Sequence, residues 1–393
     1  MSGDPAVSSN HRSGRAVLRD AAPVRRAVWW ALGLFCAWWA VTPALARAAP
    51  FITGFTPTTI ANTVPTLGDE NPYGIVTVPS NVGSLVRGDL LVSNFNDSTN
   101  TQGKGTTIVQ IPPGGNDLTM PASVFAQIDP TNLPGPCPGA APGVLGLTTA
   151  LGVTRSGFVI VGALPTPDGQ LDQAGAGCLL VLDSSGQVVT TISGGPINGP
   201  WDMTAVDHGF FTTLYVTNVE NGDVATSPTP VFEGTVVRIQ LVTIPGVKPF
   251  VFDEDVIATG FPELASSTAV VLGPTGVALT HNGTLYVADT EASRIAKIPG
   301  AEHREAPFKG GGITVTSGGL LNAPLGMTLA PNGDILTANG NDGLVVETTK
   351  QGDQVANVDT GFGGGSLFGL TVPPSGDKVD LVDDGNNTLA VLH

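Results

Sequence analysis

The chain has 393 residues, of which 52 are Gly and 32 are Pro; only 13% are charged and 41% are hydrophobic. This composition is typical of a protein with many short strands and turns, and it excludes a largely disordered chain and an array of long amphipathic helices. The formal net charge is −16, and an acidic surface repels phosphate backbones, so we expect no nucleic-acid partner.

The first 46 residues have the pattern of an export signal. Five Arg precede an uncharged run from Ala27 to Ala46, which ends in Ala44-Leu45-Ala46, a small-x-small sequence that a signal peptidase accepts. An uncleaved membrane anchor is the alternative, because the run is long enough to span a bilayer. In both cases we expect residues 47–393 to be exported, to a periplasmic or extracellular location. Membrane contact is expected only if the leader is retained.

Removal of the leader leaves a more acidic protein with two cysteines. Basic residues fall from 17 to 12 and acidic residues from 33 to 31, which gives a net charge of −19. The third cysteine, Cys36, lies inside the leader. Cys137 and Cys178 form an even pair in an exported chain, so we predict a disulfide between them; two separate buried thiols are the alternative.

One sequence unit recurs six times after the leader. The clearest copy begins at Gly273, and it predicts a first strand from Gly276, a second over Thr284–Asp289 and a third over Arg294–Ile298. The other five copies begin at Asn71, Gly146, Gly199, Ala323 and Gly369. A short repeat whose apolar face is covered only by its neighbours predicts a stacked array of small sheets.

Most copies are followed by a fourth, outer strand. These strands are predicted at Val188–Ile192, Asp255–Thr259, Ile313–Thr316 and Gln354–Val358. The sixth copy has no such strand, because the sequence ends at His393 directly after its third strand, Leu389–Leu392. The segment Phe51–Ala61 precedes the first copy and belongs to none. We therefore predict that Phe51–Ala61 completes the last blade and closes the ring.

Residues 273–298 resemble the NHL repeat. They contain its pattern of Pro-x-Gly, an apolar strand, Asn-Gly, Tyr-Val-Ala-Asp and Arg-Ile. The resemblance implies an all-β fold, a six-bladed β-propeller with a central channel, over residues 47–393. The count of six copies agrees with this independently, and we expect a monomer.

Polar residues end most of the predicted second strands, which should reach one mouth of the channel. These positions hold Asn94, Gly162, Asn218, Asp289, Asn339 and Asp383, with Asn96, Asn221, Asn341 and Asp384 close by. Convergent carboxylate and amide oxygens predict an axial site for Ca²⁺ or a polar ligand, with Asn94, Asn218, Asp289, Asn339 and Asp383 as ligand-binding candidates. The alternative is that Asn and Asp bond their own backbone where a strand enters a turn.

The sequence is also distantly similar to the gluconolactonase-like propeller hydrolases. That resemblance implies a metal held by Glu, Asn and Asp from different blades, for which Glu70, Asn218 and Asp289 are loose equivalents here. The group has Glu before Gly-Pro-x-Trp, whereas this chain has Glu70-Asn-Pro-Tyr. Ca²⁺ is the one cofactor the sequence suggests, and no catalytic residue is assigned. His208 and His281 fall in turns away from the predicted mouth, which disfavours a three-His zinc site.

Three aromatic residues occupy equivalent places beside the start of a first strand: Tyr73, Trp201 and Phe368. We expect these rings to pack between blades, and the alternative is that they line the axis and stack on a flat ligand.

We interpret the protein as a non-enzymatic binding module that acts through its loop-rich face. Two long insertions, residues 112–141 and 219–262, are the candidate recognition surface, because binding surfaces usually lie on loops. The partner would be a protein, a glycan or a small molecule. The alternative is a Ca²⁺-dependent hydrolase of lactones or esters with an axial metal site.

Overall fold

The computed structural model describes residues 49–140, 143–167 and 169–393. The predicted leader, residues 1–46, lies outside the described residues. Within the described ranges, no helix combines the length and apolar character needed to cross a membrane. Those ranges contain 25 strands in six antiparallel sheets, and two single-turn 3₁₀ helices, Leu171–Gln173 and Ala301–His303.

Each sheet is one blade of a propeller. Blade 1 consists of β2 (Glu70–Thr77), β3 (Leu90–Asn96), β4 (Thr107–Ile111) and β5 (Ser123–Gln127). Blade 2 consists of β6 (Leu151–Val153), β7 (Val159–Ala163), β8 (Cys178–Leu182) and β9 (Val188–Ser193). Blade 3 has five strands: β10 (Gly199–Asp207), β11 (Phe211–Val219), β12 (Val231–Val242), β13 (Phe250–Ser266) and β14 (Val270–Leu272).

The second half of the ring is more regular. Blade 4 consists of β15 (Pro274–Leu279), β16 (Leu285–Asp289), β17 (Arg294–Ile298) and β18 (Ile313–Ser317). Blade 5 consists of β19 (Pro324–Leu329), β20 (Ile335–Asn339), β21 (Leu344–Thr348) and β22 (Gln354–Asp359). Blade 6 consists of β23 (Leu367–Thr371), β24 (Val379–Asp383), β25 (Thr388–Leu392) and β1 (Pro57–Asn62).

The N-terminal strand closes the ring, as the sequence predicts. β1 pairs antiparallel with β25, with Pro57 opposite Leu392 and Asn62 opposite Thr388. The strand begins at Pro57 and not at Phe51, because the N–H groups of Phe51 and Ile52 donate to the Glu347 carboxylate of blade 5, at 2.8 and 2.9 Å. The chain is thus held to blade 5 before it joins blade 6.

Apolar side chains fill the space between neighbouring blades. Between blades 1 and 2, Leu91 and Ile108 pack in one cluster with Val159 and Leu180, all completely buried. Equivalent clusters lie at the other interfaces, including the one between blades 6 and 1. Strands covered on both faces need continuous apolar runs, which is why the inner strands do not show simple alternation.

The Pro-x-Gly sequence opens several first strands because neighbouring backbones approach closely there. A bulge follows the proline in blades 1, 4 and 5, where Pro72, Pro274 and Pro324 pair with the second strand. A Cβ added at Gly276 would lie 2.3 Å from the carbonyl oxygen of Leu325 in the next blade. No real side chain tolerates this distance, so glycine is required. Blade 3 has Asp202 at the corresponding place, after Pro200-Trp201.

Candidate functional site

Two cavities lie along the axis of the propeller. The first, of about 260 Å³, is lined by the first strands of all six blades, and we call it the channel cavity. The second, of about 450 Å³, lies among the loops where the second strands end, and we call it the mouth cavity. Tyr73 contributes to the lining of both, so its ring lies between them.

Four aromatic rings line the mouth cavity and form what we call the aromatic floor: Tyr73, Phe95, Trp201 and Phe368. Tyr73 stacks on Phe368 at 5.1 Å between ring centroids and meets Trp201 edge-on at 6.2 Å. The indole Nε1 of Trp201 donates a 2.8 Å hydrogen bond to the hydroxyl oxygen of Tyr73. The rings of blades 1, 3 and 6 therefore meet at the axis. Tyr73 and Trp201 also belong to a buried apolar cluster with residues of several blades, so the rings both pack between blades and line the axial cavity.

Asp202 lines the channel cavity on the other side of this floor. Burial raises the pKa of its carboxyl group to about 7, although the backbone N–H of Met203 donates to it at 2.7 Å. Burial, and then the negative charge of Asp202, raise the pKa of Tyr73 far above its usual value. The Tyr73 hydroxyl therefore stays protonated and neutral at physiological pH.

A row of amide side chains forms one wall of the mouth cavity. Asn96 Nδ2 donates to the amide oxygens of Asn71, at 2.9 Å, and Asn100, at 2.6 Å. Asn71 and Asn100 have φ of 64° and 55°, a left-handed conformation that Asn adopts more readily than most residues. Asn96 is only 5% exposed, and its Oδ1 atom has no hydrogen-bond partner among the described residues.

Asp384 continues this wall in blade 6. Burial raises the pKa of its carboxyl group to about 7; a hydrogen bond from Asn71 opposes the rise, and the charges of Asp383 and Glu70 add to it. Its Oδ1 atom is buried and, within the described part of the chain, has no hydrogen-bond partner. Among the residues that line this cavity, three therefore carry a buried oxygen without a hydrogen-bond partner in the described part of the chain: Asn96 Oδ1, Asp384 Oδ1 and Thr149 Oγ1.

The five ligand-binding candidates from the sequence lie beside this cavity and do not contribute to its lining among the described residues. The residues are Asn94, Asn218, Asp289, Asn339 and Asp383, each at most 2% exposed. Successive side chains along a strand point in opposite directions. Where one residue faces the axis, the residue before it therefore points away from the axis. The residues that follow four of them line the mouth cavity instead: Phe95, Thr290, Gly340 and Asp384.

Each of these five side chains has a partner in the protein, but Asn94 Oδ1 and Asn339 Oδ1 have none among the described residues. Asp289 Oδ2 accepts from Arg294 Nε at 2.7 Å, and Asp383 Oδ2 accepts from Asn386 Nδ2 at 2.8 Å. Asn218 Oδ1 accepts from the backbone N–H of Asn198 at 3.1 Å. Asn94 Nδ2 and Asn339 Nδ2 donate to the carbonyl oxygens of Thr63 and Leu320. The five residues thus support the wall by tying strand ends to turns.

The proposed metal ligands Glu70, Asn218 and Asp289 each have a protein partner in this structure. The carboxylate of Asp289 is paired with a guanidinium, the amide oxygen of Asn218 is bonded to the backbone, and Glu70 faces the Asn387 side chain at 3.4 Å. Within the described ranges, no three His, Cys, Asp or Glu residues are grouped so that they could hold a metal ion.

The predicted insertions contribute less to the mouth than the sequence suggests. Residues 219–262 contain β12 and most of β13, which extend the blade outward. Besides Trp201 of β10, blade 3 reaches the mouth cavity through the hairpin of β13 and β14, with Ser266, Thr268 and Ala269 in the lining. In the other insertion, Cys137 forms a disulfide with Cys178 of β8. Asn71, Asn100, Gln102 and this hairpin were not singled out from the sequence, since no repeated position marks them.

Comparisons with known proteins agree with the fold. Residues 272–298 match the family model of the NHL repeat. A solved structure described as a gluconolactonase from Xanthomonas campestris is 14% identical, with a TM-score of 0.52, over 88% of this chain and 92% of the other. A luciferin-regenerating enzyme is 11% identical, also with a TM-score of 0.52, over 86% of this chain and 95% of the other. Comparison with curated protein sequences gives no match. At these identities the likeness shows the fold alone.

Proposed function

We propose that this six-bladed propeller, which carries an NHL repeat, is an exported binding module that takes a small organic ligand into its mouth cavity. The observation that carries the proposal is one cavity lined by the aromatic floor and by residues whose buried acceptor oxygens are unpaired. Ligand sites are typically concave, mostly apolar and supplied with a few polar groups that orient the ligand. An unpaired buried acceptor is costly to a protein, and a ligand donor removes that cost.

A cavity-filling variant tests this proposal. Ala269 lies on the hairpin of blade 3 and lines the mouth cavity, whereas Ser267 lies on the same hairpin and is exposed. We expect Ala269→Phe to weaken binding of any cavity ligand by about tenfold or more, which corresponds to roughly 1.4 kcal/mol, and Ser267→Phe to leave it unchanged. A fragment screen read by tryptophan fluorescence provides the measurement, because Trp201 belongs to the aromatic floor.

The control for this screen is Trp201→Phe, which separates the signal of the cavity from that of the four tryptophans between residues 29 and 39. A fragment library that gives no Trp201-dependent signal would reject the cavity as a ligand site. Equal loss of binding in Ala269→Phe and Ser267→Phe would also reject it.

Export is part of the proposal and is supported by the leader pattern and by the disulfide, which is characteristic of oxidising compartments. N-terminal sequencing of the native protein decides between a cleaved leader, with a first residue at 47 or soon after, and a retained anchor. The Ca²⁺-dependent hydrolase alternative is tested by assaying lactones and simple esters with added Ca²⁺ and with chelator. Hydrolysis that depends on Ca²⁺ would overturn the non-enzymatic interpretation.

A further inference from the structure

We propose that the ligand of the mouth cavity carries a protonated amine, whose N–H groups donate to Asp384 and Asn96 while its hydrocarbon body lies on the aromatic floor. This inference rests on the proposed function and names the ligand class. Three features of the cavity carry it: its unpaired acceptors, its charge and its floor.

Three buried polar atoms on residues that line the cavity have no hydrogen-bond partner among the described residues: Asn96 Oδ1, Asp384 Oδ1 and the Thr149 hydroxyl. The hydroxyl can donate or accept, whereas the amide oxygen and the carboxylate oxygen can only accept. Both hydrogen bonds from Asn96 Nδ2 go to amide oxygens, those of Asn71 and Asn100, so the nitrogen of Asn96 must face them and Oδ1 is left over. Asp384 Oδ1 is the second unpaired acceptor, in the neighbouring blade 6. A ligand that satisfies both atoms has to donate hydrogen bonds, and an ammonium group has up to three N–H donors and no acceptor.

The charge of the cavity selects among donors. Among the described residues that line it there is no Lys, Arg or His, while Asp384 is an acid. The carboxylates of Asp383 and Glu70 act on Asp384 from nearby. Arg294 lies four residues after Thr290, which lines the cavity, but its guanidinium group is bonded to Asp289 and Thr314. The field in the cavity therefore favours a cation and opposes a carboxylate or a phosphate.

The aromatic floor favours an organic cation over an inorganic one. The faces of Tyr, Trp and Phe attract cations and cover apolar surface at the same time. Ca²⁺ instead needs six to eight oxygen ligands, which three unpaired oxygens beside four rings do not supply. An amine on a hydrocarbon or aromatic body satisfies the wall and the floor together.

Three probes with one ring and different charge test the inference on the full chain: benzylamine, benzyl alcohol and benzoate, measured by calorimetry at pH 8. We expect benzylamine to bind at least about tenfold more tightly than benzyl alcohol, and benzoate not to bind. Asp384→Asn should weaken benzylamine about tenfold or more and leave benzyl alcohol unchanged. The matched control, Asp359→Asn, removes an exposed carboxylate that is not among the described lining residues of the mouth cavity. It should change the affinity of neither benzylamine nor benzyl alcohol.

The pH dependence gives a second measurement. Because burial holds the pKa of Asp384 at about 7, only the ionised fraction of the protein accepts the cation, so benzylamine affinity should rise about tenfold from pH 6 to pH 8. The titratable groups that act on Asp384 are Asp383 and Glu70, and Asn71 is its hydrogen-bond partner. In Asp384→Asn this rise should disappear, which a merely structural role of Asp384 would not produce.

The possible failures are distinct. If benzyl alcohol or benzoate binds as tightly as benzylamine, and Ala269→Phe blocks that binding, the amine inference is overturned while the proposed function stands. If Ca²⁺ displaces benzylamine or binds in its place, an inorganic cation is the ligand and the inference is again overturned. If neither these probes nor a wider library binds, both the inference and the proposed function fail.

Discussion

Buried carboxyl groups in this acidic protein differ in the hydrogen-bond and ion-pair partners of their oxygens. Asp289 is completely buried and pairs with Arg294, and Glu347, equally buried, accepts the N–H groups of Phe51 and Ile52. Among the described residues, no cation acts on Glu220 or Glu263. Burial, and then the charge of Glu263, raise the pKa of Glu220 to about 9, while burial raises that of Glu263 to about 8.

These two glutamates predict a loss of stability at alkaline pH. In the unfolded chain these glutamates lose their protons near the ordinary glutamate pKa of 4.5. In the folded protein they keep their protons to a higher pH. The folded state is therefore progressively disfavoured as the pH rises from about 4.5 to about 9, because ionisation in place has to overcome burial and mutual repulsion. Glu220→Gln and Glu263→Gln should raise the thermal midpoint at pH 9 by several degrees and at pH 5 very little, as measured by circular dichroism.

The exposed Glu305→Gln is the control for this effect and should change the midpoint at neither pH. A gain in Glu220→Gln that is the same at pH 5 and pH 9 would show that packing, and not ionisation, is responsible.

At the scale of elements, the weakly structured part of the ring is the connection between blades 1 and 2. The described residues between β5 and β6 form turns and isolated β-bridges and add no strand to a sheet. Cys137 ties this connection to β8 through the disulfide with Cys178, with 5.2 Å between the Cα atoms and 41 residues of separation. Both sulfur-bearing side chains are buried in the apolar cluster between the two blades.

Removal of the disulfide should therefore cost stability. Closing a loop of 41 residues removes chain entropy from the unfolded state, for which the loop-entropy relation gives about 4 kcal/mol. The double variant Cys137→Ser with Cys178→Ser should lower the free energy of unfolding in urea by about that amount. Reducing agent should shift the native chain similarly and leave the double variant unchanged. Equal urea midpoints for the oxidised protein and the variant would contradict the prediction.

At the scale of the whole molecule, stability depends on a closed ring. An apolar cluster lies between each blade and the next, and the cluster between blades 6 and 1 includes Ala61 of β1 together with Val382 and Leu389. The start of β1 and the C-terminus are adjacent, since the N–H of Thr56 donates to the carbonyl oxygen of His393 at 3.1 Å. The chain can therefore be joined there without distortion.

A circular permutant should fold. Joining His393 to residue 49 through a short Gly/Ser linker, with new ends in the exposed loop at Pro245-Gly246, keeps every blade complete, so we expect a cooperative transition near the native midpoint. Deletion of residues 49–62 should instead uncover the last blade and lower the midpoint strongly. A permutant that fails to fold, or a deletion that unfolds like the native chain, would contradict the role of closure. Calorimetry distinguishes these outcomes.

The sequence by itself determined the repeat, and through it the fold. Six copies of one pattern, with a spare strand at Phe51–Ala61, predict six blades and their closure, because each sheet can bury its apolar face only against a neighbour. Strand bounds also follow closely, as at the partly buried outer strands Val188–Ser193 and Gln354–Asp359.

The tertiary structure alone decided which side chains face the ligand. A shift of one residue along a strand reverses the direction of a side chain, so Asp383 turns to Asn386 while Asp384 lines the cavity. The meeting of Tyr73 with Trp201, and the approach of the β13–β14 hairpin, join residues from different blades. Such contacts depend on how the ring curves around its axis, and no local pattern of sequence contains that curvature.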